Sequence, residues 1–136
     1  MRTLFLSLVV LIGLSGCSSK EDMAKAEAGV EQFHKDLNDA AFDQIYEEAS
    51  DGMKANSTQE KLVKFLSAVH RKLGNFQSAS STGWKVFAAT GGTTVTLSYS
   101  SIYEQGTAAE TFVFLIAGGK AILQGYNINS DELIEN

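Results

Sequence analysis

Glu31 and His34 stand three residues apart in Glu31-Gln32-Phe33-His34, a spacing that sets a carboxylate and an imidazole side by side on one helix face. A carboxylate-bridged metal site could use such a pair. It would also need a second copy and two further glutamates, and the sequence supplies neither. The plainer expectation is a solvated polar face beside Phe33. His70, between Val69 and Arg71, reads as a surface histidine. Glu110 has more promise, because it shares strand parity with Phe112, Phe114 and Ile116 and could point inward, where hydroxyls of Tyr46, Tyr99, Tyr103 or Tyr126 could meet it. Against that, a solvent-exposed rim position near a strand start costs less than a buried carboxylate. Neither histidine has a serine in a nucleophile-elbow context, so covalent catalysis has no candidate. Gly91-Gly92 and Gly118-Gly119 lie between strand-like stretches rather than ahead of helices, which makes them turns and not phosphate loops. No Cys/His cluster has zinc spacing. The expectation is no catalytic set, no metal and no cofactor.

The single cysteine, Cys17, closes an apolar N-terminal run. Arg2 supplies a positive n-region and residues 4–14 an h-region, which falls short of the ~20 residues of a membrane-spanning helix. Ser15 and Gly16 are the small residues that a signal peptidase requires. Leu14-Ser15-Gly16-Cys17 resembles the lipobox of bacterial lipoproteins at all four positions. The resemblance implies removal of residues 1–16 by cleavage between Gly16 and Cys17, and acylation of Cys17, palmitate included. Two or three acyl chains, at ~0.8 kcal/mol per buried CH₂, would anchor the protein permanently. Ser18 after the cysteine implies the outer membrane, periplasmic side, if the cell is Gram-negative. The alternative, a buried or disulfide-bonded thiol, lacks an intrachain partner.

Composition bounds the rest. At 136 residues with a net charge of −5, the chain allows one domain with a genuine core, and its acidity argues against nucleic acid and against adhesion to anionic lipid by charge. Proline is absent, so Gly, Asn, Ser and Asp must make the turns.

Residues 17–24 read as the lipidated cysteine and a polar tether, 25–130 as one α+β domain, and 131–136 as a fraying acidic tail. From about Met23, the spacing of Val30, Phe33, Leu37 and Ala41 predicts a helix; Asn38 or Asp39 would stop it and cap a second, short helix carrying Phe42, Ile45, Tyr46 and Ala49. Asp51-Gly52 breaks the pattern. Ser57-Thr58-Gln59-Glu60 forms a capping box ahead of a third helix with Leu62, Phe65, Leu66, Val69 and Leu73 on its apolar stripe and Gly74 as its stop. A Ser/Thr-rich loop leads to four strands at about 83–89, 93–103, 108–117 and 120–129, joined by the glycine pairs and by Gln105-Gly106-Thr107. Three short links in succession predict an antiparallel meander with the helices on one face.

Phe42-Asp43-Gln44-Ile45-Tyr46, Phe65-Leu66 with Leu73-Gly74, and the closing Gly125-Tyr126-Asn127-Ile128 resemble marks of the cone-shaped nuclear transport factor 2-like (cystatin-like) superfamily, in particular its small secreted or lipid-anchored bacterial domains of unknown function. The resemblance implies a pocket between sheet and helices, to which Tyr46, Tyr99, Glu110 and Tyr126 could contribute. Ketosteroid isomerase-like relatives use an acid and a tyrosine there. It also implies sheet-to-sheet dimers, for which Val113 and Leu115, opposite in parity to Phe112 and Phe114, are the candidate interface. The expected function is that of a membrane-anchored envelope lipoprotein acting as a binding module for a second copy or an envelope partner. A small-ligand pocket, an isomerase-like enzyme and a structural envelope role stand as alternatives.

Overall fold

A computed structural model describes residues 18–134. Gly16, Cys17 and the rest of the lipobox lie outside the described residues. The helices are α1 (Ser18–Asn38), α2 (Phe42–Glu47), α3 (Asp51–Asn56), α4 (Gln59–Leu73) and α5 (Asp131–Ile134); the strands are β1 (Phe76–Ala89), β2 (Gly92–Tyr103), β3 (Gly106–Ala117) and β4 (Lys120–Asn129). The class is α+β, with N-terminal helices packed on a four-stranded antiparallel meander in the order β1-β2-β3-β4.

Residues 18–24, expected as a tether, are instead the first turns of α1. Lys20, Glu21, Ala24 and Lys25 are good helix formers, and Met23 and Ala26 extend the apolar stripe backwards onto the core. That stripe continues through Val30, Phe33 and Leu37, all buried. Gly29 lets the helix lie close to the sheet: a Cβ there would stand 2.7 Å from the Phe114 ring.

α1 ends at Asn38, and Ala40 takes a left-handed φ of 56°. Neither Asn38 nor Asp39 caps α2, whose N-cap is Ala41 without a side-chain bond. The Asn38 amide is committed elsewhere: it accepts from Phe76 N at 2.7 Å and donates to Phe76 O at 3.2 Å. At Asp51-Gly52 the chain does not break but starts α3, because the Ser50 hydroxyl accepts from Met53 N and caps it. The α4 cap falls one residue later than the capping box predicts. Thr58 accepts from Lys61 N at 3.2 Å, which moves Glu60 out of the reciprocal position. Leu62, Leu66, Val69 and Leu73 bury the face of α4, while Phe65 lies at its rim.

β1 begins seven residues before the predicted 83. The Ser/Thr-rich stretch is strand, with Ser78 to Ser81 paired to Ile102 to Tyr99, between register shifts at Phe76/Ser78 and Ser81/Gly83. Both faces of this stretch are exposed, so no apolar alternation marks it in the sequence. β2, β3 and β4 lie close to their predicted positions. Gly118 and Gly119, at φ of 56° and 76°, make the two-residue turn between β3 and β4. The tail does not fray over its described part: Ser130 donates to Thr107 O at 2.7 Å and Leu133 packs on the core.

Inside the sheet, Val95, Leu97, Phe112, Phe114, Ile116 and Leu123 meet the apolar faces of α1 and α4. A register shift after Val113, where Gly125 and Leu123 oppose successive residues of β3, bulges β4 at Gln124. That bulge turns both Leu123 and Tyr126 inward, which strict alternation would forbid.

Candidate functional site

Glu110 points from β3 into the interior and is 1% exposed. Its cost of burial is met by three donors. His34 Nε2, on α1, lies 2.9 Å from Oε1; Tyr103 and Tyr126 donate their hydroxyls to Oε2 at 3.0 and 2.6 Å. The rim position expected for Glu110 is therefore corrected, and so is the solvated position expected for His34, which is buried. The imidazole stacks on Phe76 with centroids 3.6 Å apart and an interplanar angle of 2°, and the edges of Phe33 and Phe112 close around it.

Burial is the largest influence on the Glu110 carboxyl and pushes its pKa up. The hydrogen bond and charge of His34, with Ser101 and Tyr126, together outweigh it and leave Glu110 below the usual glutamate value. An ionised carboxylate only accepts, so Nε2 of His34 carries the proton that it shares with Oε1. Ser101 is fully buried beside the cluster. Its hydroxyl lies close enough to favour the charged carboxylate but closes no hydrogen bond of its own. Burial first, then the Glu110 charge, drives the Tyr103 and Tyr126 phenols well above their ordinary range, so both stay protonated donors.

Both oxygens of Glu110 are thus taken, and the residue fixes its neighbours rather than offering itself to a ligand. Its reach to the surface is through His34. The imidazole borders a cleft of about 500 Å³ between α1 and β1, with Glu27, Glu31, Asn38, Phe76 and Tyr99 around it. Tyr99, paired with Glu110 across β2 and β3, has its phenol raised by burial and then by Glu27 and Glu31. A second cleft of about 490 Å³ continues past the shared Glu27 and Ser81 to Met23, Trp84, Val86 and Leu97. The two form one groove along β1, polar at the Asn38 end and apolar at the Trp84 end. Among the described residues β1 has a neighbouring strand on one side only. On its open side, the Asn38 amide occupies Phe76.

Of the residues singled out in the sequence, Glu110 and Tyr126 come together and Tyr99 borders the groove. Tyr46 does not join them: it sits half-buried on α2 beneath the Lys54 ammonium, 5.8 Å from its ring centre. Val113 and Leu115 lie half-exposed on the sheet face opposite the buried Phe112 and Phe114. His70 is half-exposed and bonds Asn75. Glu31 and His34 both border the groove, yet among the described residues no three His, Cys, Asp or Glu side chains gather as a metal site. His34 is the functional candidate that the Glu-x-x-His spacing assigns to the wrong surroundings. Its burial does have a signal in the sequence, since 30, 33, 34 and 37 follow the i, i+3, i+4, i+7 spacing of a buried stripe. Among the described residues no helix is long and apolar enough to cross a membrane. No protein-family model and no curated protein matches the chain.

Proposed function

We propose that this protein is a lipid-anchored cell-envelope lipoprotein whose domain is a binding module, taking an extended segment of an envelope partner into the groove between α1 and β1. The observation that carries the reading is the open edge of β1. It is a 14-residue edge strand without proline, bordered along its length by a groove, where edge strands are ordinarily kept short, covered or charged. An added strand would draw its affinity from the β1 backbone and its selectivity from the groove, apolar near Trp84 and charged near Glu27, Glu31 and Lys35. Attachment through Cys17 rests on the lipobox resemblance. The isomerase-like alternative has less support, because both oxygens of Glu110 are occupied and the carboxylate stands behind His34 rather than in the groove wall.

A photo-crosslinking amino acid at Ala79 tests the reading in the intact lipoprotein in its own membrane. A discrete adduct is expected, absent when the crosslinker is placed at the exposed Arg71 and abolished by Ser81→Arg, which fills the groove from its shared wall. An adduct indifferent to Ser81→Arg would sink the proposal.

A second reading, a sheet-to-sheet dimer, is favoured by the uncovered Val113 and Leu115. Light scattering on the protein in detergent should then give a dimer that Val113→Arg converts to a monomer, and a wild-type monomer would end it.

A further inference from the structure

The end of the sheet that carries the β1–β2 and β3–β4 turns differs from the rest of the molecule in charge. In a chain of net charge −5, residues 83–98 and 112–123, which make both hairpins at this end, contain Lys85 and Lys120 and no acid. Register places the two turns together: Gly92 pairs with Ala89, Thr93 with Ile116, and Ala117 with Lys120. Trp84 is 67% exposed on the inner side of β1 and Phe87 is 63% exposed on the outer side, so large apolar rings flank the strand on both faces as it runs to the turn. The start of α1 comes to the same place, because Ser19, Lys20 and Met23 border one cleft with Trp84 and Val86. The acids that border clefts with these hairpins, Glu27 and Asp36 of α1 and Glu48 after α2, belong to the helical layer and not to the hairpins.

We propose that this end is a membrane-docking surface, with Trp84 and Phe87 entering the lipid headgroup region and Lys20, Lys85 and Lys120 meeting anionic headgroups. Amphipathic aromatic rings favour the membrane–water interface, and lysines beside them contribute attraction to anionic lipid. Residue 17 is joined directly to α1, whose helix occupies the stretch expected as a tether, so an anchored domain has little freedom to leave the bilayer. The inference rests on the lipoprotein reading for which end meets the membrane; the composition of the surface stands without it. The overall negative charge argues against lipid binding only while charge is averaged over the chain, and here the hairpins are segregated from it. Docked in this way, the groove would open beside the bilayer along α1 and β1.

Trp84 is the only tryptophan in the chain, so its fluorescence reports on this surface alone. The acylated protein is reconstituted into phosphatidylethanolamine–phosphatidylglycerol vesicles, with acylation at Cys17 read by mass spectrometry on the same sample. The expected result is a blue-shifted emission that brominated acyl chains quench and acrylamide does not. Lys85→Glu with Lys120→Glu should lower the docking equilibrium by at least about 25-fold, at about fivefold per lysine. Both side chains are exposed, and circular dichroism should show an unchanged fold. Trp84 quenched by bromolipid in a chain without acyl groups supports the docking surface and removes the anchor. Trp84 open to acrylamide in an acylated, vesicle-bound chain overturns the docking surface and leaves the anchor standing.

Discussion

One strand, β3, shows two different regimes on its two faces. Its inward residues Ala108, Glu110, Phe112, Phe114 and Ile116 are all buried, while the outward Val113 and Leu115 between them stay half-exposed. Within the inner face, the polar cluster is treated like the apolar core around it, with Glu110 held by three donors, one of them the His34 ring that stacks on Phe76. Such a cluster is costly to disturb and poor at exchanging partners. The open edge of β1 is its opposite, a backbone and a groove that packing leaves available. Stability resides on the inner face, and recognition is sought at the edge and the hairpin end.

The comparison breaks most visibly at Glu110. Glu110→Ala leaves His34, Tyr103 and Tyr126 without their shared acceptor, and a loss of about 3–5 kcal/mol is expected in chemical denaturation. Tyr103→Phe removes one donor to the same carboxylate and should cost about 1.5–3 kcal/mol. Val113→Thr, one pleat away from Phe112 on the outward face, should change stability by no more than about 0.5 kcal/mol. Equal losses at Glu110 and Val113 would erase the distinction between the two faces.

The pH dependence sharpens the contrast further. Glu110 titrates lower in the folded protein than the usual glutamate, so between the two values the unfolded chain binds the extra proton. Its contribution is therefore complete above about pH 4.3, the ordinary glutamate value, and is lost as pH falls through the folded value. Glu110→Gln should flatten that acid limb in a pH series of thermal melts, while Glu31→Gln on the exposed helix face should leave it in place.

Much of this architecture is legible in the sequence. The stripe of α4, the Gly118-Gly119 turn and the alternation of β3 each follow from one local rule, and the structure obeys it; the β1–β2 turn instead falls on Thr90-Gly91, with Gly92 already paired to Ala89 in β2. Two of the failures are local in origin and one is not. Residues 78–81 pair as strand without burying either face, so hydrophobic periodicity carries no signal there. The bulge at Gln124 changes parity within β4, and no run of residue types announces which way Tyr126 turns. His34 was misplaced for a different reason: it occupies a core position whose polar identity makes sense only once Glu110, 76 residues on, is opposite it. Buried polar pairs distant in sequence are what single-sequence patterns transmit least.

The central claim is that β1 pairs with an extended segment of a partner, and amide hydrogen exchange on this strand measures it most directly. The protein is compared in isolated native membranes and after detergent purification, with the amides of α4 as internal reference. Slower exchange confined to residues 78–86 in the membranes, with α4 unchanged, is the predicted result. Identical exchange along β1 in both preparations would contradict it.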